Sequence, residues 1–159
     1  MSILEIKKYP EKVLRKKCKP VSQITKRESY IFKEMLFTMR HFSGIGLAAP
    51  QVGILEKLIV VEFEGITIKL ANPEILKIKG ADIMEEGCLS FPDKMVVAVK
   101  RPSEAITKGL NENGQLVEIK AKGILARALQ HEIDHLCGKL IIDYLSFRKK
   151  LKFKLKPGF

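Results

Sequence analysis

The segment HEIDH, residues 131–135, limits what this chain can fold into more than any other stretch. Its two histidines are four residues apart, so in a helix their side chains project from one face, one turn apart. This HExxH spacing is typical of two metal-binding imidazoles with a glutamate beside the first. A catalytic metal usually takes three protein ligands, and the chain has only 3 histidines. The sequence therefore predicts a helix at a metal site and leaves the third ligand open.

Length and composition indicate one folded domain rather than a disordered or membrane-spanning chain. The 159 residues are 46% hydrophobic and 30% charged, which is enough to bury an ordinary core. No apolar run reaches the roughly 18 residues that a membrane span requires. The N-terminal sequence MSILEIKKYP lacks the long apolar region of a signal peptide. The 3 cysteines form no CxxC pair, which favours a reducing compartment.

The net charge of +11 is compatible with solvated lysine faces or with a polyanionic neighbour. Cations are concentrated in FRKKLKFKLKPGF, residues 147–159. The chain has no tryptophan and no nucleic-acid motif with interleaved aromatic residues. We therefore expect no sequence-specific nucleic-acid binding, and we interpret the basic end as a docking feature.

The order of predicted elements indicates an α+β fold. A first helix runs from Thr25 to Phe42, opened by a capping box of Thr25 and Glu28. The glycine-rich segment GIGLAAPQVG, residues 44–53, reads as a loop whose backbone approaches something closely. The second helix covers Lys122–Leu136. Strand-like runs between the two helices are Lys57–Phe63, Ile66–Ala71, Met95–Lys100, Glu104–Leu110 and Gln115–Ala121. This order predicts antiparallel sheets packed around a central helix that carries HExxH.

One stripe of the second helix joins the two histidines to small apolar residues. Ile124 and Ala128 precede His131 and His135 at helical spacing, so all four lie on one face. Leucines on the adjacent stripe are expected to fill the core. The stripe therefore predicts a hydrophobic pocket beside the metal, suited to an unbranched apolar side chain.

Cysteine is the strongest candidate for the third ligand. Few residues follow His135, and the only carboxylate among them is Asp143. Cys137 follows the histidines too closely for good geometry. Cys88, in EEGCLS, could reach their face from an approaching strand, and a thiolate with two imidazoles is a known catalytic set. A lone cysteine is, however, more often a small buried apolar residue.

Three segments together resemble a known family. GIGLAAPQVG (44–53), EEGCLS (85–90) and QHEIDHL (130–136) occur in the order of the signature motifs of peptide deformylases. The resemblance extends to YPEKVLRKKCKPV near the N-terminus, Asn72-Pro73, Asn113-Gly114 and Asp143-Tyr144-Leu145. It implies a catalytic domain over residues 1–147 and a short basic tail over residues 148–159.

The resemblance implies a metal-dependent hydrolase that removes the formyl group from the N-terminal formyl-methionine of nascent polypeptides and releases formate. Cys88, His131 and His135 are then the metal ligands, and Glu132 is the general base and acid. Gln51 and the backbone N–H of Leu89 stabilise the oxyanion. The family typically uses Fe(II), and nickel, cobalt or zinc can replace it, whereas the ligand types alone suggest zinc.

The substrate contacts that the resemblance implies surround these residues. The backbone of Gly44 and Gly46 pairs with an extended peptide like an added strand. Gly87 allows the substrate to approach Cys88, and Glu86 either orients a histidine or is a surface carboxylate. The methionine pocket is lined by Ile45, Ile124 and Ala128.

The basic C-terminal tail leaves one structural and one functional question open. The tail segment KLKFKLK alternates charged and apolar residues as a strand would, and its charge leaves a ribosome contact open. An HExxH metallopeptidase and a non-catalytic ribosome-docking homologue are the alternatives to the deformylase. We expect the cytoplasm of a bacterium as the location, and no membrane association.

Overall fold

The computed structural model describes residues 1–92 and 95–154, and they form an antiparallel α+β fold. The helices are α1 (Lys26–His41), α2 (Gly123–Leu136) and α3 (Phe147–Lys154). The strands are β1 (Gly46–Ala48), β2 (Leu58–Phe63), β3 (Ile66–Lys79), β4 (Asp82–Glu86), β5 (Val97–Arg101), β6 (Glu104–Leu110) and β7 (Leu116–Lys122). The predicted fold class is therefore confirmed. None of the helices in the described residues is long and apolar enough to cross a membrane.

The helix α1 begins at the predicted capping box. The Thr25 hydroxyl accepts a hydrogen bond from the Arg27 N–H at 3.2 Å, and Glu28 accepts one from the Thr25 N–H at 2.8 Å. These bonds satisfy backbone donors that the first helical turn leaves unpaired. The face of α1 that packs on the core buries Phe32 and Met35.

Strand β2 has a continuous apolar sequence because it lies between the two long helices and is buried on both faces. Successive side chains of a strand point to opposite faces. Ile59 and Val61 pack in the cluster that contains α2, and Leu58 and Val60 pack in the cluster that contains α1. All four are fully buried. The sheet β1-β2-β3-β6-β7 thus carries α2 on one face and α1 on the other, with β1 at its edge.

Sequence patterns missed strand β1, which lies in the segment predicted as a loop, the second half of β3, and all of β4. The predicted strand ending at Ala71 continues to Lys79, because a register shift between Ala71 and Glu74 accommodates Asn72-Pro73. Asn72 has a φ of 52°, as expected for a residue at such an irregularity. Strand β4 follows and pairs with β5 as a separate two-stranded sheet.

The predicted strand-like tail is wrong where the structure describes it. Residues Phe147–Lys154 form helix α3, and residues 155–159 lie outside the described residues. The Lys150 N–H donates to the Ser146 carbonyl at 2.8 Å. Lysine, arginine and leucine are good helix formers, and the only described tail residue that is buried, Phe153, packs against the domain. The division at residue 147 stays a prediction.

Candidate metal centre and active site

The structure brings Cys88 to the two histidines of α2. Its Sγ lies 3.4 Å from His135 Nε2, and His135 Nε2 lies 3.3 Å from His131 Nε2. The three ligand atoms all lie within 4.8 Å of one another. Cys88 is two residues beyond the end of β4, whereas Cys137 is exposed and is not part of the group. Of the two cysteines considered from sequence, Cys88 is therefore the one that joins the histidines.

The separations of His135 from the other two donors fit a metal ion. Metal–nitrogen bonds of roughly 2.05 Å and metal–sulfur bonds of roughly 2.3 Å give tetrahedral edges of about 3.3 Å between nitrogens and about 3.6 Å between nitrogen and sulfur. The observed 3.3 Å and 3.4 Å are close to these values. One thiolate and two imidazoles leave a fourth position for a reactant, which is the pattern of a catalytic site rather than a structural one.

Glu86 fixes the orientation of His131. Its Oε1 lies 2.9 Å from His131 Nδ1, and its side chain is buried. Because an ionised carboxylate only accepts hydrogen bonds, Nδ1 carries the proton and Nε2 is left to face the other ligands. Burial raises the pKa of Glu86, but His131 and Arg101 outweigh that effect and hold the pKa at about 2. Of the two possibilities left open for Glu86, the structure thus excludes the surface carboxylate.

Two buried arginines hold Glu86 and were not identified from sequence. Arg101 donates from Nε and Nη2 to the two carboxylate oxygens at 2.6 Å and 2.9 Å. Arg127 donates from Nη1 to Glu86 Oε2 at 2.6 Å and also pairs with Asp82. Arg101 further contacts Asp134, the fourth residue of HEIDH, at 2.9 Å. The network joins α2, β4 and β5 behind the ligands, so the elements that carry the site are held together by charge as well as by apolar packing.

The surroundings of His131 and His135 act in opposite directions on their pKa values. Burial lowers the pKa of His131, but the carboxylate of Glu132 and the thiol of Cys88, together with Glu86, outweigh it and raise the pKa well above the usual value. Burial, reinforced by His131 and Arg101, lowers the pKa of His135 well below the usual value. The surroundings that favour a proton on His131 also favour a metal cation at the same nitrogen.

Glu132 is buried beside the ligands. Its Oε1 lies 3.7 Å from His131 Nε2, and Oε2 has no hydrogen-bond partner among the described residues. Burial raises the pKa of Glu132 to about 7, against the lowering effect of His131. A carboxylate with one oxygen free of partners among the described residues, beside His131 and lining the cleft, is suited to exchanging a proton with a reactant there.

Gln51 is held with its amide nitrogen toward the thiol. Its Oε1 accepts from the Ala48 N–H at 2.9 Å, which fixes the orientation of the amide. Its Nε2 lies 3.1 Å from Ser90 Oγ and 3.4 Å from Cys88 Sγ. Ser90 is fully buried and was not identified as a functional residue, although it belongs to the EEGCLS segment. Leu89 lies between Cys88 and Ser90 in the turn that follows β4.

A cleft of about 510 Å³ connects these groups. All of the substrate contacts expected from sequence line it, namely Gly44, Ile45, Gly46, Gly87, Ile124 and Ala128. Gln51, Cys88, Leu89, His131 and Glu132 line it as well, whereas His135 lies behind the cleft wall. Sequence reasoning missed the apolar residues Met84, Phe91, Met95 and Val96, which come from the chain segments on either side of the EEGCLS turn.

The free edge of β1 faces this cleft. The Glu62 N–H donates to the Ile45 carbonyl at 2.8 Å, so Ile45 forms a hydrogen-bonded pair with β2. Hydrogen-bonded and non-bonded pairs alternate along an antiparallel ladder. The N–H and C=O of Gly46, opposite Val61, therefore point away from β2. They are available to an extended peptide in the cleft.

Gly46 has a second reason to be glycine that sequence did not reveal. A Cβ at this position would lie 2.9 Å from Glu132 Cγ and 3.0 Å from Glu132 Cδ. Such separations are too short for carbon atoms, so the carboxylate would have to move. Gly46 thus allows Glu132 to lie against the edge strand.

We expect Gly46→Ala to lower kcat by about 100-fold, because displacement of a catalytic group by about 1 Å has effects of that size. The metal content should stay at the wild-type level, since the three ligand atoms do not contact Gly46. Steady-state kinetics with metal analysis and thermal unfolding on the same preparation would check this. A wild-type kcat would show that Glu132 does not depend on Gly46.

Comparisons with known proteins agree with the geometry. The sequence profile of the polypeptide deformylase family matches residues 3–151. The chain is 50% identical to the peptide deformylase of Thermodesulfovibrio yellowstonii, over 97% of this chain and 99% of that protein. The crystal structure of the Thermotoga maritima peptide deformylase superposes with a TM-score of 0.88 at 40% identity, covering 92% of this chain and 99% of that chain. The Ehrlichia chaffeensis enzyme in complex with actinonin superposes with a TM-score of 0.90 at 34% identity over 100% of both chains. The chain therefore belongs to the polypeptide deformylase family, whose members are hydrolases that remove the formyl group from the N-terminal methionine of new polypeptides.

Proposed function

We propose that Cys88, His131 and His135 hold the metal ion of this deformylase and that Glu132 and Gln51 act on the formyl group beside it. The observation that carries the proposal is the meeting of one thiol and two imidazole nitrogens within 4.8 Å at the cleft that Glu132 and Gln51 also line. When bound, the metal would make a water nucleophilic near neutral pH and would polarise the carbonyl that this water attacks.

Glu132 moves the protons of the reaction. Its carboxylate takes a proton from the attacking water while the new C–O bond forms at the formyl carbon. It then delivers that proton to the methionine nitrogen as the C–N bond breaks, so formic acid and a free amine result, and the formic acid loses its remaining proton to the amine or to solvent to give formate. The burial of Glu132 excludes bulk water, and its contact with Gly46 places it at the edge strand where the substrate backbone lies.

Gln51 and Leu89 stabilise the negative charge that develops on the formyl oxygen. The Gln51 amide is held on its oxygen side by Ala48, so its nitrogen side remains directed at the centre. The backbone N–H of Leu89 belongs to the turn next to Cys88 and supplies the second donor. Neutral donors fixed in a closed site stabilise an oxyanion without the reorganisation that water requires.

Removal of the Gln51 amide should slow the chemical step. We expect Gln51→Ala to lower kcat by about 100-fold, the usual effect of losing one oxyanion donor. Ser90→Ala should have a smaller effect of the same kind, because it removes only the 3.1 Å contact that steadies the amide. Kinetic constants of both variants, each with its metal content, would check this. Equal activity of Gln51→Ala and the wild type would exclude the oxyanion role.

The substrate is an extended N-formyl-methionyl polypeptide. Its backbone pairs with Gly46 at the free edge of β1, runs beside Gly44, whose N–H already bonds the Met39 carbonyl at 2.9 Å, and passes Gly87. The methionine side chain contacts Ile45, Ile124 and Ala128, which line the cleft beside the ligands. Because main-chain pairing does not depend on side chains, the site accepts many sequences after methionine.

Iron(II) is the proposed metal, with nickel, cobalt or zinc as substitutes. The donor set supports a divalent transition metal of this group but suits zinc as well as iron. The proposed location is the cytoplasm of a bacterium, where nascent formyl-methionyl chains are made. Helix α3 supports a ribosome contact, because Arg148, Lys149, Lys150 and Lys152 lie on it and are cationic.

The nature of the products separates this function from the metallopeptidase alternative. Mass spectrometry of a formyl-Met peptide after incubation should show the intact peptide without its formyl group. Peptide cut at an internal bond, with the formyl group still present, would favour the peptidase instead.

A further inference from the structure

The C-terminal helix α3 inserts one aromatic ring into the domain next to the active site. Phe153 is 7% exposed, whereas Phe147 on the same helix is 83% exposed. The Phe153 ring lies 5.6 Å from the ring of Tyr9 and 6.3 Å from that of Phe91, centroid to centroid. Tyr9 and Phe91 stack on each other at 5.1 Å. We call Tyr9, Phe91 and Phe153 the aromatic cluster, in which each ring contacts the other two.

The aromatic cluster holds the turn that carries two proposed functional groups. The Phe91 N–H donates to the Cys88 carbonyl at 3.0 Å, which closes a four-residue turn from Cys88 to Phe91. The Tyr9 N–H donates to the Ser90 carbonyl at 2.8 Å. The residues that supply two of the rings therefore also supply backbone bonds to the turn, and Phe91 lines the cleft.

The turn depends on such packing because no strand ladder includes it. Strand β4 ends at Glu86 and β5 begins at Val97. Away from a ladder, the position of a backbone segment is set by its side-chain contacts and isolated hydrogen bonds. Aromatic pairs at these distances contribute beyond their buried area, and the Phe91 ring is 2% exposed.

We infer that Phe153 is a positioning residue for the active site, acting through Phe91 to hold the Cys88–Phe91 turn. In this role Phe153 gives the C-terminal helix a supporting contact with the active site in addition to any docking function. The inference rests on the proposed function, since it gives the turn the ligand Cys88 and the donor Leu89. It follows that loss of the Phe153 ring loosens the thiolate at the metal and the oxyanion donor, while the edge strand β1 keeps its pairing with β2.

The test uses full-length protein loaded with Co(II). Phe153→Ala should release Co(II) to a chelator about tenfold faster than wild type, the lower end of the effects seen for residues that support metal ligands. Its kcat for a formyl-Met peptide should fall about tenfold, with KM within about twofold, because the substrate still pairs with β1. The absorption band of the cobalt–thiolate bond should shift. Phe153→Leu keeps an apolar side chain, so its cobalt release and kcat should lie between those of the wild type and Phe153→Ala. This variant replaces Phe153→Ala in the test if the alanine variant does not fold.

Two controls separate positioning from general stability. Phe147→Ala changes an exposed ring of the same helix and should match the wild type in cobalt release, kcat, KM and the cobalt–thiolate absorption band. Leu36→Ala opens a cavity in the core around α1, where Leu36 is as buried as Phe153, and should lower Tm without faster cobalt release. Cobalt release and kcat of the Phe153 variants equal to those of Phe147→Ala would overturn the inference, as would equal acceleration in Leu36→Ala. A wild type that releases no formate would instead contradict the proposed function, and cobalt release would still rank the variants.

Discussion

Glu132→Ala should keep its metal and lose nearly all turnover, with kcat lower by about 100-fold to 10,000-fold, the contribution typical of a positioned proton-transfer group. The carboxylate is buried, and Glu86, the other carboxylate beside His131, is bound by Arg101 and Arg127 and is therefore not free to replace it. The atoms of Glu132 are not among the three grouped ligand atoms. Metal analysis and formate release measured on the same preparation would separate the two effects.

A matched control for Glu132→Ala is Glu74→Ala. Glu74 is an exposed carboxylate on β3, paired with Lys108 at 3.6 Å and remote from the cleft lining. Its removal should change neither metal content nor kcat, because exposed ion pairs contribute little. Full activity of Glu132→Ala with metal bound would refute the proton-transfer role.

Cys88→Ala should lose the metal. The Cys88 thiolate is one of the three proposed protein ligands, and we expect metal affinity to fall by more than the roughly 100-fold that loss of a supporting residue can cost. The two histidines and Glu86 would remain in place, because α2 and the arginine network do not depend on the thiol. Equilibrium dialysis with Ni(II) or Co(II) would give the affinity directly.

Cys137→Ala is the corresponding control, since Cys137 follows His135 by two residues but is exposed and outside the ligand group. It should bind metal as the wild type does. Unchanged affinity in Cys88→Ala, or an equal loss in Cys137→Ala, would mean that the third ligand is another residue.

The parts of the fold that sequence predicts correctly have local determinants. The capping box of α1 and the apolar stripe of α2 are set by residues within a few positions of each other. The relative position of His131 and His135 also has a local determinant, because the geometry of helix α2 fixes it. Assignment of Cys88 needed more: its position was better than that of Cys137, but a lone cysteine is more often a buried apolar residue, and the resemblance of EEGCLS to a family motif favoured a ligand.

The parts that sequence missed depend on contacts between distant segments. A buried Glu86 requires cations, yet nothing local distinguishes Arg101 and Arg127 among the 29 lysines and arginines of the chain. The need for glycine at position 46 comes from Glu132 on another element.

In the tail, contacts with distant residues decide between a strand and a helix. Alternation of charged and apolar residues suggested a strand for KLKFKLK, and the same residues are also good helix formers. The contacts of Phe153 with Tyr9 and Phe91, which lie far away in sequence, are satisfied by helix α3. Such contacts cannot be derived from the tail sequence alone.

Formate release tests the central claim most directly. Protein purified without oxygen and loaded with Fe(II) or Ni(II) would be incubated with a short formyl-Met peptide, with Glu132→Ala in parallel. The account predicts formate from the wild type and almost none from Glu132→Ala at equal metal content. No formate from wild-type protein with demonstrably bound metal would contradict it, and so would equal formate from both proteins.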